Sequence, residues 1–238
     1  MTLAMHKSRV MSRFAQSDED VLLCQALRHW SFRKCEGIDS DVFDAVSQHV
    51  MIEEAGRLVG TLRLRILPHF ADMNATYTGS YYAIDGLAGP SLEIGRFCVA
   101  ADATVSHVLR EAWAVLTRLV DAEGVQFIFG CSSFEGTDPR RYADAFSLLL
   151  ARHQSNLKVG VKAVEIKHLY DVEAAHLNPT KAIVQLPALL RSYLTMGGFV
   201  GDHLVIDREL GTLHVFTAVE IAKIPSARAR ALRRAALN

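Results

Sequence analysis

The sequence predicts an α/β fold, a mixed sheet with helices on both faces, in a single domain. Three observations lead there. Residues 92–99 read as a strand, 106–122 as a helix with Val108, Leu109, Ala112, Trp113, Val115, Leu116, Leu119 and Val120 on its apolar side, and 125–131 as an almost wholly apolar strand. Strand, helix and buried strand in that order form a βαβ unit with a parallel pair at its centre. Upstream, in 59–67, Leu62, Leu64 and Ile66 alternate with Thr61, Arg63 and Arg65, as in a strand with one buried face. Finally, no Gly/Ser or Pro-rich linker and no fixed-period repeat interrupts the 238 residues, 50% of them hydrophobic, which is ample material for one core.

The remaining elements follow in chain order. Acidic residues open a helix over 18–34, with Val21, Leu22, Cys24, Ala26, Leu27, Trp30 and Phe32 at loose helical spacing. An Asp-rich loop comes next, then strands at 49–55 and 59–67 joined by a turn at Gly56-Arg57. Residues 68–91 read as an irregular segment carrying Pro68, Asn74, Gly79, Gly86, Gly89 and Pro90, with Tyr77, Tyr81 and Tyr82 between them, the kind of loop that covers a site. Beyond the βαβ unit the pattern predicts helices at 139–153 and 187–196 and strands at 163–169, 203–207 and 212–220. The domain is expected to fill 1–238, with 1–17 and 225–238 as flanking tails.

Charge and cysteine usage exclude several function classes. Lys plus Arg and Asp plus Glu both total 26, so no global field favours nucleic acid. Residues 1–10 hold no apolar run of signal-peptide length, and the apolar stretch 145–151 is far too short to span a bilayer. Cys24, Cys35, Cys98 and Cys131 are widely spaced with no C-x-x-C pair, which fits a reducing cytoplasm. No H-E-x-x-H, Walker A or G-x-G-x-x-G motif occurs and the histidines are scattered, so neither a metal nor a nucleotide cofactor is expected.

Three constellations could carry chemistry. Glu93 and Arg96 lie three apart on a strand otherwise made of core residues, so they face opposite sides unless Gly95 bulges the strand. Such a pair serves either acid–base chemistry or a structural ion pair. Asp39, Asp41 and Asp44 crowd six residues without the Gly and distal Glu of a calcium loop, and suit a cationic amine or a solvated, capping loop. Gly130-Cys131-Ser132-Ser133-Phe134 leaves the C-terminal end of the apolar strand, where open α/β sheets bind ligands. Phe134 stands where a nucleophile elbow needs Gly, and no base neighbours Cys131 in sequence, so no activated nucleophile is visible.

Taken in order, Arg28 and Phe32, the Asp39, Asp41, Asp44 cluster, Val59-Gly60-Thr61-Leu62-Arg63-Leu64 and Glu93-x-x-Arg96-Phe97 resemble the acyl-homoserine-lactone synthases. The second half is more similar to the ornithine-lipid N-acyltransferases, also called hemolysin-like acyltransferases: Gly130-Cys131-Ser132-Ser133-Phe134, Gly136-Thr137-Asp138-Pro139, Leu186-Pro187, Gly201-Asp202, Asp207-Arg208 and Gly211-Thr212. The resemblance covers about 22–224. It implies a GNAT-like fold and transfer of a 3-hydroxyacyl group from acyl carrier protein to the α-amine of ornithine, or of glutamine in related enzymes, to give a lyso-aminolipid. By position it makes Glu93 the base or proton relay, with Arg96 organising Glu93 and the donor. Arg28, Phe32, Asp39, Asp41, Asp44, Arg63, Ser132, Ser133 and Phe134 fall on the substrate side, and Phe97, Cys98 and Val99 on the donor side, where the strand backbone polarises the thioester. No tightly bound cofactor is implied beyond the acyl-phosphopantetheine of the carrier.

One stretch departs from that family, whose Glu strand usually continues into a basic, Gly-containing turn. Here it reads Ala100-Ala101-Asp102-Ala103-Thr104, which offers no amide nest for the pyrophosphate of coenzyme A. Carrier protein is the donor this favours. The segment 227–237 reads as a basic, Ala-rich helix that docks that acidic partner, lies on the inner membrane as a peripheral contact, or is a solvated terminal helix. The alternatives are a signal synthase using S-adenosylmethionine and a non-catalytic GNAT-like binding module.

Overall fold

The computed structural model describes residues 9–85, 88–154, 157–172, 174 and 176–237; residues 1–8 of the expected N-terminal tail and Gly86 lie outside these. One eight-stranded sheet runs in the order β1 (Val10–Phe14), β2 (Gln48–Glu54), β3 (Arg57–Leu67), β5 (Ser91–Val99), β6 (Phe127–Glu135), β10 (Thr212–Glu220), β9 (Phe199–Asp207), β8 (Ile166–His168). A separate two-stranded sheet pairs β4 (Tyr82–Ile84) with β7 (Val159–Val161). Within the large sheet β5 and β6 are parallel, and the other pairings are antiparallel. The βαβ unit is therefore present, its crossover made by α3 (Val105–Glu123).

Alternation on the strands decides what covers each face. Leu62, Leu64, Leu92 and Ile94 point to the side where α3 inserts Val108, Ala112, Leu116 and Val120. Farther along that face, α4 (Ala143–Arg152), α5 (Pro179–Gln185) and α6 (Ala188–Thr195) join a second core around Phe134, Phe146, Leu190 and Val215. The opposite face carries α1 (Asp18–Arg33), capped by Ser17 accepting from the Asp20 amide, and the short α2 (Tyr77–Tyr81). Helices thus lie on both faces, as predicted.

Several boundaries differ from expectation, and 10–14 of the expected N-terminal tail are edge strand β1, paired with β2. The hairpin turn falls on Ala55 and Gly56, with φ of 53° and 75°, the left-handed pair that a tight hairpin requires. The segment expected to be irregular contains α2 and β4, elements too short to leave a periodic signal. They are held locally: the Thr76 hydroxyl accepts from the Gly79 amide, and a Cβ on Gly79 would lie 1.9 Å from the Met73 carbonyl oxygen. The strand expected at 163–169 shrinks to β8, because only Ile166, Lys167 and His168 meet partners on β9. The helix expected from 139 begins as a 3₁₀ turn, Pro139–Tyr142. At the C-terminus, α7 (Ser226–Ala236) does not hang free as a tail: it packs along α3, with Leu232 against the core and Arg233 bonded to Asp121 at 2.8 Å.

Candidate active site

The site grows from a break in the sheet. β5 and β6 pair only from Ser91 to Glu93 against Phe127 to Phe129, and then part. Gly130 sits at the fork, where a Cβ would come within 2.2 Å of the Ile94 carbonyl oxygen, so only glycine allows the strands to run this close before separating. On the other edge of β5, Thr61 faces Cys98 while Arg63 faces Gly95, which leaves one extra residue on β5. That bulge puts Arg96 at φ 54°, in the left-handed region, and turns it onto the face that carries Glu93. The proviso about Gly95 in the sequence is met by this irregularity.

Two cavities, each of about 190 Å³, open at the break. The first lies between the parted strands, with Phe32, Ile94, Phe97, Leu189, Leu190 and Tyr193 making it apolar and Cys131, Ser132 and Ser133 along its β6 wall. The second is bounded by Asp41, Phe43, Tyr77, Tyr81, Asp207 and Glu209. Arg96 lines both, so its guanidinium stands at the partition.

A buried arginine–aspartate network holds that partition in place. Arg28 of α1 has no exposed surface; its Nε bonds Asp39 Oδ2 at 2.9 Å and its Nη1 bonds Asp44 Oδ1 at 2.9 Å. Arg63 reaches Asp44 at 2.7 Å and also pairs with Asp41. Arg96 bonds Asp39 and Asp41, each at 3.0 Å, and lies 4.5 Å over the Tyr77 ring. Burial alone would raise both carboxyls, but Arg28 and Arg63 outweigh it at Asp44, and Arg96 and Arg28 outweigh it at Asp39, so both are held below the usual carboxylate range. The aspartate cluster expected to face a cationic amine is thus already paired with the protein's own arginines. Of its members only Asp41 reaches a cavity wall.

Glu93 is separate from this network. It is buried, and its Oε1 accepts the Thr78 amide at 2.7 Å, while Thr78 Oγ1 lies 3.8 Å from Cys131 Sγ. Arg96 is bonded to Asp39 and Asp41, whereas the resemblance had it organising Glu93. Burial pushes the Cys131 thiol well above its ordinary range and Cys98 up to about 12, so both stay protonated at neutral pH. Phe32, Phe97, Ser132 and Ser133 line the apolar cavity; Cys98 is buried, Val99 packs against the core, and Phe134 stacks edge-on with Phe146 at 5.1 Å, so these three line neither cavity.

Sequence reasoning gave no role to Tyr77, Tyr81, Asp207, Glu209 or His214, which the fold brings to this face. The tyrosines had signalled themselves only as aromatic residues within a loop, and Asp207 only as part of the motif Asp207-Arg208. The histidines prove less scattered than they look in sequence: β8–β9 pairing sets His168 opposite His203, whose neighbour Asp202 completes a trio with ligating atoms within 4.8 Å of one another, at the sheet edge.

Residues 24–114 match the acetyltransferase (GNAT) domain family. The L-ornithine N(alpha)-acyltransferase of Brucella abortus (strain 2308) is 30% identical over 210 residues, which span 79% of this chain and 72% of that protein. The enzyme of the same name from Rhizobium meliloti (strain 1021) is 26% identical over 240 residues, 90% of this chain and 80% of that one. Among solved structures, the CoA-dependent acyl-homoserine lactone synthase BjaI, determined with SAM and isopentyl-CoA, shares the fold at a TM-score of 0.51 and 14% identity, over 96% of this chain and 89% of that one.

Proposed function

As a member of the L-ornithine N(alpha)-acyltransferase family the chain is an N-acyltransferase, and we propose that it moves a 3-hydroxyacyl group from acyl carrier protein to the α-amine of ornithine, giving a lyso-aminolipid. The observation that carries this reading is the pair of cavities meeting at Arg96, one apolar and one acidic, as a reaction between a fatty thioester and an ammonium-bearing molecule requires.

The thioester enters between β5 and β6 with its chain against Ile94, Leu189, Leu190 and Tyr193. Beyond Glu93 the β5 edge facing β6 has lost its strand partner, so its amides are free to polarise the carbonyl oxygen. Glu93 lines neither cavity, so the α-ammonium gives a proton to its carboxylate through water, and the amine nitrogen then attacks the carbonyl carbon. As the tetrahedral intermediate collapses and the C–S bond breaks, its nitrogen loses a second proton, which the departing pantetheine sulfur takes up, and Glu93 returns the first proton to solvent. With both nearby thiols protonated, the transfer is direct, without an acyl-enzyme.

The carrier's single phosphodiester suits a groove lined by Val105 and Ser106 at the start of α3 together with Arg191 and Arg228. There the free amides of the first helical turn and the two guanidiniums supply positive potential that the glycine-free turn 100–104 does not. Incubation with 3-hydroxyacyl carrier protein and ornithine, followed by mass spectrometry, tests the proposal. It predicts an amide-linked lyso product, and the absence of any acylated amino acid from a mixture of all candidates would overturn it.

A further inference from the structure

The carboxylates of the acidic cavity are not alike. Asp41 is paired with Arg63 and Arg96, and Glu209 is exposed, 4.0 Å from Arg33. Asp207 is only 6% exposed, yet it receives only neutral donors: the Leu210 amide at 2.9 Å and the Tyr77 hydroxyl at 3.2 Å. No lysine, arginine or histidine makes an ion pair with it among the described residues. A carboxylate this buried ordinarily has a cation against it.

The Arg96 guanidinium on the cavity wall is bonded to Asp39 and Asp41 and makes no ion pair with Asp207, which leaves that carboxylate able to receive a cation. Burial raises the Tyr77 hydroxyl far above its usual range, so it remains a neutral donor. Behind Tyr81, with ring centroids 4.8 Å apart, lies His214. The Tyr82 hydroxyl is 2.9 Å from the His214 carbonyl, which can only accept, so its 3.1 Å contact with Nδ1 must have the nitrogen donating. The proton therefore sits on Nδ1 and leaves Nε2 a bare, unpartnered acceptor, and burial, which lowers this imidazole to about 4, keeps it neutral. The Phe43, Tyr77 and Tyr81 rings complete the wall; Arg63 already lies over Phe43 and Arg96 over Tyr77, so what the rings offer a ligand is apolar surface for its methylenes.

We infer that this cavity is the side-chain pocket for a dibasic amino acid, with Asp207 the ion-pair partner of the distal ammonium, Tyr77 and Tyr81 flanking the methylenes, and Glu209 at the mouth. The inference rests on the transfer reaction proposed above and adds how the acceptor is chosen: a ligand anchored at Asp207 extends toward Arg96 and presents its α-amine to the thioester on the far side.

The test compares ornithine with norvaline, which replaces the distal ammonium by hydrogen, in the full-length protein and its Asp207→Asn and Glu209→Gln variants. Asn keeps acceptor and donor atoms for Leu210 and Tyr77 while removing the charge. The wild type is expected to prefer ornithine by at least about a hundredfold in kcat/KM, and Asp207→Asn to shrink that ratio by about tenfold or more, mainly through the KM for ornithine. Glu209→Gln, in solvent, should shrink it by less than about threefold. Calorimetric titration of ornithine into donor-free protein separates this inference from the reaction itself. Ornithine binding that is lost in Asp207→Asn upholds the pocket even without turnover, whereas acyl transfer to norvaline as efficient as to ornithine sinks the pocket and leaves the reaction standing. An ornithine-to-norvaline ratio unchanged in Asp207→Asn also overturns it.

Discussion

Replacing Arg28 by Met tests whether the buried network is held by charge or by packing. The guanidinium donates to Asp39 Oδ2 at 2.9 Å, to the Asp39 carbonyl at 2.7 Å, and to the two Asp44 oxygens at 2.9 and 3.2 Å. Removing one partner of a buried ion pair typically costs about 3–5 kcal/mol. Here the lower end, about 3 kcal/mol, is expected. The reason is that Asp39 keeps Arg96 at 3.0 Å and Arg33 at 3.2 Å, and Asp44 keeps Arg63 at 2.7 Å and Gln25 at 2.8 Å. For a chain of this size that loss lowers Tm by roughly 6–12 °C. Urea unfolding followed by far-UV circular dichroism should register it at pH 7. The pH dependence makes the test specific. Asp39 and Asp44 are held below the ordinary carboxylate range in the folded state. They therefore contribute stability above the unfolded value of about 3.9, and it is lost as pH falls through their folded values. The gap between wild type and Arg28→Met should thus be largest near neutrality and narrow below about pH 4. A loss under about 1 kcal/mol, or a gap of constant size from pH 7 to pH 3, would refute the electrostatic account.

Three further outcomes follow from the site. Glu93→Gln keeps an acceptor for the Thr78 amide and should lower kcat by on the order of 10²-fold near neutral pH, less in alkali where more of the amine is already free; activity within a few-fold of wild type at every pH would make Glu93 structural. Cys131→Ser should retain turnover, because the buried thiol stays protonated, and trapping an acylated Cys131 by mass spectrometry would contradict direct attack. Acyl carrier protein should be strongly preferred over acyl coenzyme A, with a KM that rises with salt and rises several-fold when Arg191 and Arg228 are both changed to Ala, whereas equal efficiency with the two donors would falsify the donor assignment.

The central βαβ unit was legible because its apolar runs are long enough for their periods to be counted, and both of its strands pair as expected. The bulge was legible only as a condition, through Gly95 between Glu93 and Arg96, since alternation without it would have parted their side chains. What stayed hidden was the partner of each charge. Arg28, Arg33, Arg63 and Arg96 are spread over three elements, and no local pattern says that they converge on Asp39, Asp41 and Asp44. Asp207 was invisible for the opposite reason: what marks it is the lack of a cation at a buried position, which a sequence does not record. The C-terminal helix was legible as a helix but not as a packed one, because Ala229 and Leu232 become an apolar face only where α3 meets them.

The conformation of Arg96 ties the network to the two cavities. A non-glycine residue in the left-handed region costs about 1–2 kcal/mol, and the backbone there is already bulged. Two ion pairs and the face of Tyr77 hold the side chain against that cost, and both carboxylates are themselves anchored, Asp39 by Arg28 and Asp41 by Arg63. These contacts lie apart from the main core, which is mostly on the other face of β3 and β5. Their joint effect is positional. They fix one guanidinium between an apolar cleft and an acidic cavity, at the fork where β5 leaves β6. In the reaction proposed above, that guanidinium would stand between the acceptor's side-chain pocket and the thioester cleft. A rigid partition of this kind is what that proposal needs if the two substrates are to meet only at the fork.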